Sequence, residues 1–240
     1  MNTKKIALIT GANKGIGLET ARQLAAQGMH VLLGAREAAN GEAAAKKIGG
    51  DVEPLTIDVT NLESIRAAVR TVEERFGRLD VLINNAGVML DDHGKKTSEQ
   101  SLDVWRKTIE TNLFGVIAVT QAFLPLLRKS DSGRIVNLSS ILGSNTLHLD
   151  PASPIYGNNT VAYDVSKSAL NAWTVHLAHE LKETSIKVNA AHPGWVKTDM
   201  GGAEAPLEVG EGARTSVALA MLGDDGPTGA FVHQGQELPW

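Results

Sequence analysis

The sequence predicts an α/β fold, a doubly wound parallel sheet of about seven strands with helices on both faces. Two observations support this prediction. Short apolar runs rich in Ile and Val alternate with longer segments of helical periodicity, and those runs are apolar throughout rather than alternating in polarity. Continuous apolar strands indicate a sheet buried on both faces, as parallel sheets usually are. The 240 residues suit one such unit, and we expect a single domain over residues 1–240.

The strands are expected in the seven short apolar runs, at residues 5–10, 29–34, 52–58, 79–85, 133–139, 186–192 and 229–233. Helices are expected between them, over residues 15–28, 37–48, 61–76, 102–127 and 161–181. Two stretches look irregular: residues 143–159, which are rich in Ser, Pro and Asn, and residues 201–212. Because ligands of open α/β sheets bind outside the carboxyl ends of the strands, residues directly after each strand are the first candidates for a site.

The composition excludes several functions. A formal net charge of −4 argues against a dedicated nucleic-acid-binding protein, which is usually strongly basic. The chain has no cysteine, which excludes disulfides, thiolate zinc sites and cysteine nucleophiles. His176 and His179 lack a third ligand at metal-binding spacing, so no metal site is expected. The apolar run at residues 6–9 is too short for a signal peptide, and no stretch approaches the length of a membrane span, so we expect a soluble cytoplasmic protein.

Residues 10–17 read TGANKGIG, with three glycines between the first predicted strand and a predicted helix. This is the context of a phosphate-binding turn. Gly11 permits a sharp turn, whereas Gly15 and Gly17 let the backbone approach a ligand and let the helix pack closely on the sheet. The helix N-terminus offers free N–H groups and a positive dipole end to a pyrophosphate. The turn therefore indicates a Rossmann-like dinucleotide site, although three glycines alone also fit a plain strand-to-helix turn.

The residues after the second strand indicate which dinucleotide binds. That strand ends Gly34-Ala35-Arg36, without the acidic residue that would accept hydrogen bonds from a ribose 2′-hydroxyl. Arg36 suits a 2′-phosphate, and Lys14 in the glycine turn is placed to be a second cation there. The alternative is that both are ordinary surface charges. We favour NADP(H) as the cofactor.

Polar residues also follow the third and fourth strands. The positions of Asp58 and Asn85 suit contacts to the adenine and the ribose region. Asn84 and Asn85 are equally well explained as structural residues that bond the backbone between neighbouring strands.

A group of polar residues suited to proton transfer completes the predicted site. Tyr163 and Lys167 lie four residues apart in a predicted helix and share one face. A nearby ammonium favours the phenolate and lowers the pKa of a tyrosine, which is otherwise near 10. The fifth strand brings Ser139 and Ser140 to the ligand edge of the sheet, where a hydroxyl can bond a substrate carbonyl. Asn112 is a further polar residue in an otherwise apolar stretch.

Together these motifs resemble the short-chain dehydrogenases/reductases, in that family's order and over nearly the whole chain. The matching motifs are TGANKGIG at 10–17, NNAG at 84–87, Asn112, the serine pair, YDVSK at 163–167 and HPGWVKT at 192–198. The resemblance implies that Tyr163 exchanges a proton at the substrate oxygen while a hydride moves to or from the nicotinamide. It implies that Lys167 binds the nicotinamide ribose and lowers the pKa of Tyr163, and that Asn112 holds a water of the proton relay. It also implies that Ser140, rather than Ser139, binds the carbonyl.

The resemblance further implies a set of cofactor-binding residues in the glycine turn, after four of the strands and in the catalytic helix. These residues are Gly11, Asn13, Lys14, Gly15, Ile16, Gly17, Arg36, Asp58, Val59, Asn85, Ala86, Gly87, Tyr163, Lys167, Pro193, Gly194, Val196 and Thr198.

Within the family, TGANKGIGLE, the AR after the second strand and PGWVKTDMGG resemble the carbonyl-reductase-like branch, which prefers NADPH. One departure concerns spacing: more residues separate Ser140 from Tyr163 than in common members. The extra residues fall in the irregular stretch 143–159, which we expect to overhang the site and to influence substrate choice.

The expected function is NADPH-dependent reduction of a small aldehyde, ketone or quinone to an alcohol. A catalytically silent NADP-binding regulator of the same fold is the alternative, although such a protein needs no proton relay. An epimerase or dehydratase of the family is a further alternative, although those relatives usually have longer chains. A homo-oligomer through the two long helices, 102–127 and 161–181, is possible, whereas no nucleic-acid or membrane partner is expected.

Overall fold

The computed structural model describes residues 4–240, so residues 1–3 of the predicted domain lie outside the described part of the chain. Residues 4–240 build an eight-stranded sheet in the order β3-β2-β1-β4-β5-β6-β7-β8. Strands β1 to β7 pair in parallel, and β8 pairs antiparallel with β7. The strands are β1 (Ile6–Ile9), β2 (His30–Ala35), β3 (Val52–Thr56), β4 (Val81–Asn84), β5 (Arg134–Leu138), β6 (Lys187–Ala191), β7 (Phe231–His233) and β8 (Gln236–Glu237).

The helices connect successive strands and lie on both faces of this sheet. They are α1 (Gly15–Ala26), α2 (Ala38–Ile48), α3 (Leu62–Phe76), α4 (Leu102–Ile109), α5 (Gly115–Leu127), α6 (Asn145–Leu149), α7 (Val161–Glu180), α8 (Val209–Gly212) and α9 (Arg214–Ala220).

Two apolar cores, one on each face, explain why the strands are apolar throughout. Leu8 of β1 packs into the core shared with α3, α5 and α7. Its neighbours Ala7 and Ile9 point the other way, into the core shared with α1, α2 and α9. Successive side chains of a strand point to opposite faces, so both faces of the central strands are buried. The predicted doubly wound α/β fold is confirmed.

The structure adds elements that the sequence did not predict. The sheet has eight strands rather than about seven, because residues 234–235 turn the chain back and let β8 pair with β7. Gln234 and Gly235 both have positive φ, 47° and 84°, as a tight hairpin turn requires. The short helix α6 lies inside the stretch expected to be irregular, and α8 and α9 precede β7.

The predicted helix over residues 102–127 is divided by a π-helical turn, Glu110–Phe114, between α4 and α5. By length and composition this 26-residue helical segment is apolar enough to cross a membrane, which corrects the expectation that no stretch is long enough. Phe123 and Leu127 of α5 are fully buried in the first core, however. A core helix of a soluble protein passes the same test, so this single segment is weak support for a membrane span.

The strand order reverses between β1 and β4, which lie side by side at the centre of the sheet. In open α/β sheets the crevice outside the carboxyl ends of such strands is where ligands bind. The glycine turn, the NNAG segment and the serine pair all follow strands at this edge. The candidate site therefore lies at this edge of the sheet, outside the carboxyl ends of β1, β4 and β5.

Candidate active site

The glycine turn after β1 has the backbone that its sequence predicts. Gly11 has a φ of +61°, and a Cβ built there would lie 2.9 Å from the Cα of Ala86. Gly15 also has a positive φ, of +55°. Only glycine adopts this conformation readily, and only glycine leaves room for the segment after β4 to approach so closely.

Thr10 and Asn85 join the glycine turn to the end of β4. The Thr10 hydroxyl accepts hydrogen bonds from the backbone N–H groups of Asn85 and Ala86, both at 3.1 Å. In return the Asn85 side-chain amide donates to the carbonyls of Thr10 and Gly11, at 2.8 and 3.0 Å. A Cβ at Gly17 would collide with that amide. These hydrogen bonds support a structural role for Asn85, which joins the segment after β4 to the glycine turn.

The N-terminus of α1 fits an anionic ligand. Its N-cap residue, Lys14, makes no side-chain cap hydrogen bond, and the first turn contains no acidic residue. The first N–H groups of a helix lack intrahelical partners, and this end carries the positive end of the helix dipole. Thr198, after β6, reaches the same place, because its methyl carbon lies 3.5 Å from the position of a Cβ at Gly15. The residues present therefore fit the diphosphate of a dinucleotide.

The two cations expected near a 2′-phosphate are at the surface. The Lys14 ammonium donates to the carboxylate of Asp199 at 2.6 Å. The Arg36 side chain is exposed, and its Nε lies 3.8 Å from Oε1 of Glu37. Asp58 is engaged locally, since its Oδ1 accepts from the backbone and the hydroxyl of Thr60 at 2.9 and 2.8 Å.

The other predicted cofactor residues lie in the loops at the same edge of the sheet, and most of them are half-buried. Val196 is buried and pairs in an isolated parallel bridge with Leu207. The half-buried ones are Asn13, Ile16, Val59, Ala86, Gly87, Pro193 and Gly194.

The structure brings Tyr163, Lys167 and Ser140 together. The Lys167 ammonium lies 5.5 Å from the centre of the Tyr163 ring and donates to the carbonyl of Leu138 at 2.7 Å. The Ser140 hydroxyl is near enough to the Tyr163 phenol to lower its pKa through a side-chain interaction. A tyrosine and a serine hydroxyl are thus close enough to share one substrate oxygen, with an ammonium beside them.

Burial controls both titrating groups of this cluster. Burial raises the pKa of Tyr163 to about 12, although the hydrogen bond with Ser140 lowers it, and the charge of Asp164 raises it further. Burial lowers the pKa of Lys167 to about 8. The expected depression of the Tyr163 pKa is therefore wrong for the free protein, because loss of hydration disfavours the phenolate more than its neighbours favour it. At neutral pH Tyr163 carries its proton.

The two neighbouring serines have different surroundings. The Ser139 hydroxyl donates to Oδ1 of Asn171 at 2.6 Å and is buried, so it is already used inside the protein. The Ser140 hydroxyl accepts from the backbone of Leu142 at 3.2 Å and faces Tyr163. This geometry supports the assignment of Ser140, rather than Ser139, to the carbonyl.

Asn112 lies in the π-helical turn, and its side chain is fully buried. Its amide accepts from the N–H of Val88 and donates to the carbonyl of the same residue, both at 2.8 Å, and it also donates to the Ser166 hydroxyl at 3.0 Å. A Cβ at Gly87 would lie 3.4 Å from Oδ1 of Asn112 and 3.7 Å from the Lys167 ammonium. Gly87 therefore keeps open the space between these two side chains.

Sequence reasoning missed Asp91, which caps the helix that carries Tyr163 and Lys167. Its two carboxylate oxygens accept from the backbone N–H groups of Ala162 and Tyr163, at 2.7 and 3.1 Å. The usual capping position, Thr160, makes no such bond, because its hydroxyl donates to Asp164 at 2.7 Å instead. The pairing joins residues more than 70 positions apart, so no local pattern points to it.

The stretch 143–159 is fastened to the start of α7 through Asp164. The Asn158 side chain donates to Oδ2 of Asp164 at 3.1 Å, and Nε2 of His148 lies 3.8 Å from the same oxygen. Burial raises the pKa of the Asp164 carboxyl, which the hydrogen bonds from Thr160 and Asn158 lower. The stretch 143–159 is therefore packed beside α7, which carries Tyr163 and Lys167.

His192, at the end of β6, links two loops of the site. Its Nδ1 accepts from the backbone N–H of Ile141 at 3.1 Å, while its carbonyl oxygen accepts from Nδ1 of His233 at 2.9 Å. Burial, together with the charge of His233, lowers the pKa of His192 to about 3. A neutral imidazole that accepts a backbone hydrogen bond has a structural role.

Comparison with known proteins agrees with this architecture. A family model described as short chain dehydrogenase matches residues 5–207. Short-chain dehydrogenase anuI of Penicillium roqueforti is 40% identical over 230 residues, which cover 92% of this chain and 90% of the relative. The NADPH-bound carbonyl reductase from chicken fatty liver has a TM-score of 0.85 at 31% identity, over 100% of both chains. The carbonyl reductase Sniffer of D. melanogaster has a TM-score of 0.84, also at 31% identity over 100% of both chains.

The fold and these similarities define an oxidoreductase of the doubly wound α/β class. The chain belongs to the short-chain dehydrogenase/reductase family. The predicted resemblance to its carbonyl-reductase-like branch is confirmed, since carbonyl reductases are among the solved structures that match over the full chain.

Proposed function

We propose that this protein is an NADPH-dependent reductase that converts a small aldehyde, ketone or quinone to the alcohol, with Tyr163 as the proton donor. The observation that carries the proposal is the cluster of Tyr163, Ser140 and Lys167 at the carboxyl edge of the sheet, beside a glycine turn that fits a dinucleotide.

Tyr163 and Ser140 act on the same substrate oxygen. The Ser140 hydroxyl donates a hydrogen bond to the carbonyl oxygen and holds it next to the phenol. When bound, NADPH supplies the hydride that reduces the carbonyl carbon. The Tyr163 hydroxyl then donates its proton to the developing alkoxide, and its raised pKa supports this role because the phenol is protonated at neutral pH.

Lys167 stabilises the phenolate that remains after proton transfer. Its ammonium is beside the Tyr163 ring, and a pKa of about 8 leaves it mostly charged at neutral pH. By its position in the YDVSK motif, it also binds the ribose hydroxyls of the cofactor. The open space above Gly87, between Lys167 and Asn112, supports the assignment of a relay water to that place.

The preference for NADP(H) rests on Lys14 and Arg36. Both are cations at the places where the adenosine 2′-phosphate is expected, and neither β2 nor the glycine turn supplies a carboxylate for a 2′-hydroxyl. A 2′-phosphate gains charge-assisted hydrogen bonds from these side chains that a hydroxyl does not.

The remaining assignments concern substrate choice, location and assembly. The stretch 143–159 would overhang the site and select substrates, which its attachment to α7 through Asp164 supports. We propose a soluble cytoplasmic enzyme, consistent with the burial of α5 in the core, and without nucleic-acid or membrane partners. We also propose that the protein can form a homo-oligomer through the two long helical segments, residues 102–127 and 161–181.

The proposal is tested by following NADPH absorbance with a panel of aldehydes, ketones and quinones, and NADP⁺ with the corresponding alcohols. Turnover of at least one class is expected from the wild-type protein. Tyr163→Phe should abolish that turnover while leaving NADPH binding nearly intact. Tight NADPH binding without turnover on either panel would overturn the proposal and favour the catalytically silent regulator.

A further inference from the structure

Lys14 and Asp199 form an ion pair between the glycine turn and the segment after β6. Nζ of Lys14 lies 2.6 Å from Oδ2 of Asp199, although the two residues are 185 positions apart in the sequence. The Lys14 ammonium, mainly through its hydrogen bond and also through its charge, holds the pKa of Asp199 below its usual range. The ammonium that suits a 2′-phosphate is therefore already held by a carboxylate of the same chain.

The backbone beneath Asp199 is well fixed. The N–H groups of Gly201 and Gly202 donate to the hydroxyl and the carbonyl of Thr198, at 3.0 and 2.9 Å, and close a turn around Asp199. The methyl group of Thr198 lies against Gly15, as described above. The two charged groups are 69% and 80% exposed, so they separate by side-chain rotation alone.

The other charges nearby do not replace Lys14 as the partner of Asp199. Lys197, two residues earlier, pairs with Glu208 at 2.5 Å. Arg36 contacts Glu37, its own neighbour in the sequence. Among the residues that the structure describes, Lys14 is thus the cation that Asp199 contacts.

We propose that Asp199 is a specificity-determining residue that competes with the nucleotide 2′-phosphate for Lys14. This inference rests on the proposed use of NADP(H). A nucleotide with a 2′-phosphate must displace the Asp199 carboxylate from Lys14, whereas a nucleotide with a 2′-hydroxyl leaves the ion pair in place. Asp199 therefore reduces the difference in affinity between NADP(H) and NAD(H) that Lys14 and Arg36 create.

A different role predicts a different result. In the other role, the ion pair stays closed and holds the segment after β6 over the bound nucleotide. Loss of the Asp199 charge would then weaken the binding of both kinds of nucleotide equally. Competition instead predicts that the same change strengthens only the binding of the 2′-phosphorylated nucleotide.

The experiment measures dissociation constants by calorimetry for NADPH, NADH, 2′,5′-ADP and 5′-AMP, at low and at high salt. The variants are Asp199→Asn, Lys14→Gln and the double variant, with Glu204→Gln as a matched control that removes an exposed carboxylate from the same segment. Asp199→Asn should bind NADPH and 2′,5′-ADP about two- to fivefold more tightly, the scale of an exposed ion pair, with NADH and 5′-AMP unchanged. The gain should disappear at high salt and in the Lys14→Gln background.

Four results overturn the inference. If Asp199→Asn weakens the binding of all four ligands equally, the ion pair holds the segment in place and does not compete. If Glu204→Gln tightens NADPH binding as much as Asp199→Asn does, the effect is one of general charge. If Lys14→Gln weakens 2′,5′-ADP while Asp199→Asn changes nothing, the cofactor assignment stands and the competition fails. If wild type does not distinguish NADPH from NADH and Lys14→Gln has no effect, the proposed cofactor preference fails as well.

Discussion

The carboxylate of Asp91 accepts a hydrogen bond from the backbone N–H of Tyr163, at 3.1 Å between Oδ2 and N. Its other oxygen accepts from Ala162. One side chain from the segment after β4 thus satisfies two N–H groups in the first turn of α7. This contact connects the start of α7, which carries the proposed proton donor Tyr163, to the segment after β4.

Replacement of Asp91 should therefore affect both stability and turnover. Asp91→Ala should lower the free energy of unfolding by about 1–2 kcal/mol, the usual effect of losing a helix cap, and should lower kcat because Tyr163 loses its fixed position. Asp91→Asn keeps one acceptor oxygen and should recover part of both losses. Urea unfolding and steady-state kinetics measure the effects, and Asp92→Ala, at the exposed neighbouring aspartate, is the control. Equal behaviour of the Asp91→Ala and Asp92→Ala variants would contradict the prediction.

The serine pair provides a second prediction, since the two hydroxyls have different partners. Ser140→Ala should lower kcat/KM by about 10²–10³, as is typical when a donor to a reacting oxygen is removed. Ser139→Ala should instead lower the free energy of unfolding by about 1–3 kcal/mol, because the buried amide oxygen of Asn171 loses its hydrogen-bond partner. Kinetics and urea unfolding of both variants check this. If Ser139→Ala loses more kcat/KM than Ser140→Ala, Ser139 rather than Ser140 binds the substrate carbonyl.

Arg36 provides a third prediction, on the choice between cofactors. Arg36→Asp replaces a cation suited to a phosphate by a carboxylate suited to a ribose hydroxyl, and should shift the ratio of kcat/KM values from NADPH toward NADH by about ten- to a hundredfold. Kinetics with each cofactor at a fixed carbonyl concentration measure the ratio. An unchanged ratio would show that Arg36 does not contact the 2′-phosphate.

The fourth prediction concerns the ionisation of Tyr163. The chain has two tyrosines, so Tyr156→Phe leaves Tyr163 as the sole phenol. Its absorbance titration should have a midpoint near pH 12, about two units above a free tyrosine. Because this folded-state pKa lies above the unfolded value, the stability that Tyr163 contributes is complete below about pH 10 and is lost as the pH rises towards 12. Circular dichroism over the same range shows whether the fold persists, and a midpoint below 10 would contradict the role of burial.

The sequence predicted the fold class and the location of the site because both depend on local patterns. Apolar runs mark the strands, and Gly11 and Gly15 mark a turn that needs positive φ. Local spacing predicted the Tyr163 and Lys167 pair, one helical turn apart, and a serine pair after a strand. The choice of Ser140 within that pair came from the resemblance to the family.

The parts that were missed depend on contacts between distant residues or on burial. Asp91 reaches α7, and Asp199 reaches Lys14, only after the sheet has brought their loops to one edge. The pKa of Tyr163 was expected to fall because the sequence shows a neighbouring lysine but not how completely both groups lose water. The strand β8 was missed because its two residues are too few to form an alternating pattern.

The mutual hydrogen bonds of Thr10 and Asn85 couple the proposed nucleotide site to the folding of the sheet. Local opening of β4 from β1 breaks the bonds that shape the glycine turn, so the binding-competent turn and this strand pair are lost together. A bound nucleotide opposes that opening, and its effect grows with the ratio of its concentration to its dissociation constant. We therefore expect the folded protein to persist longer in a cell when a nucleotide that it binds is abundant.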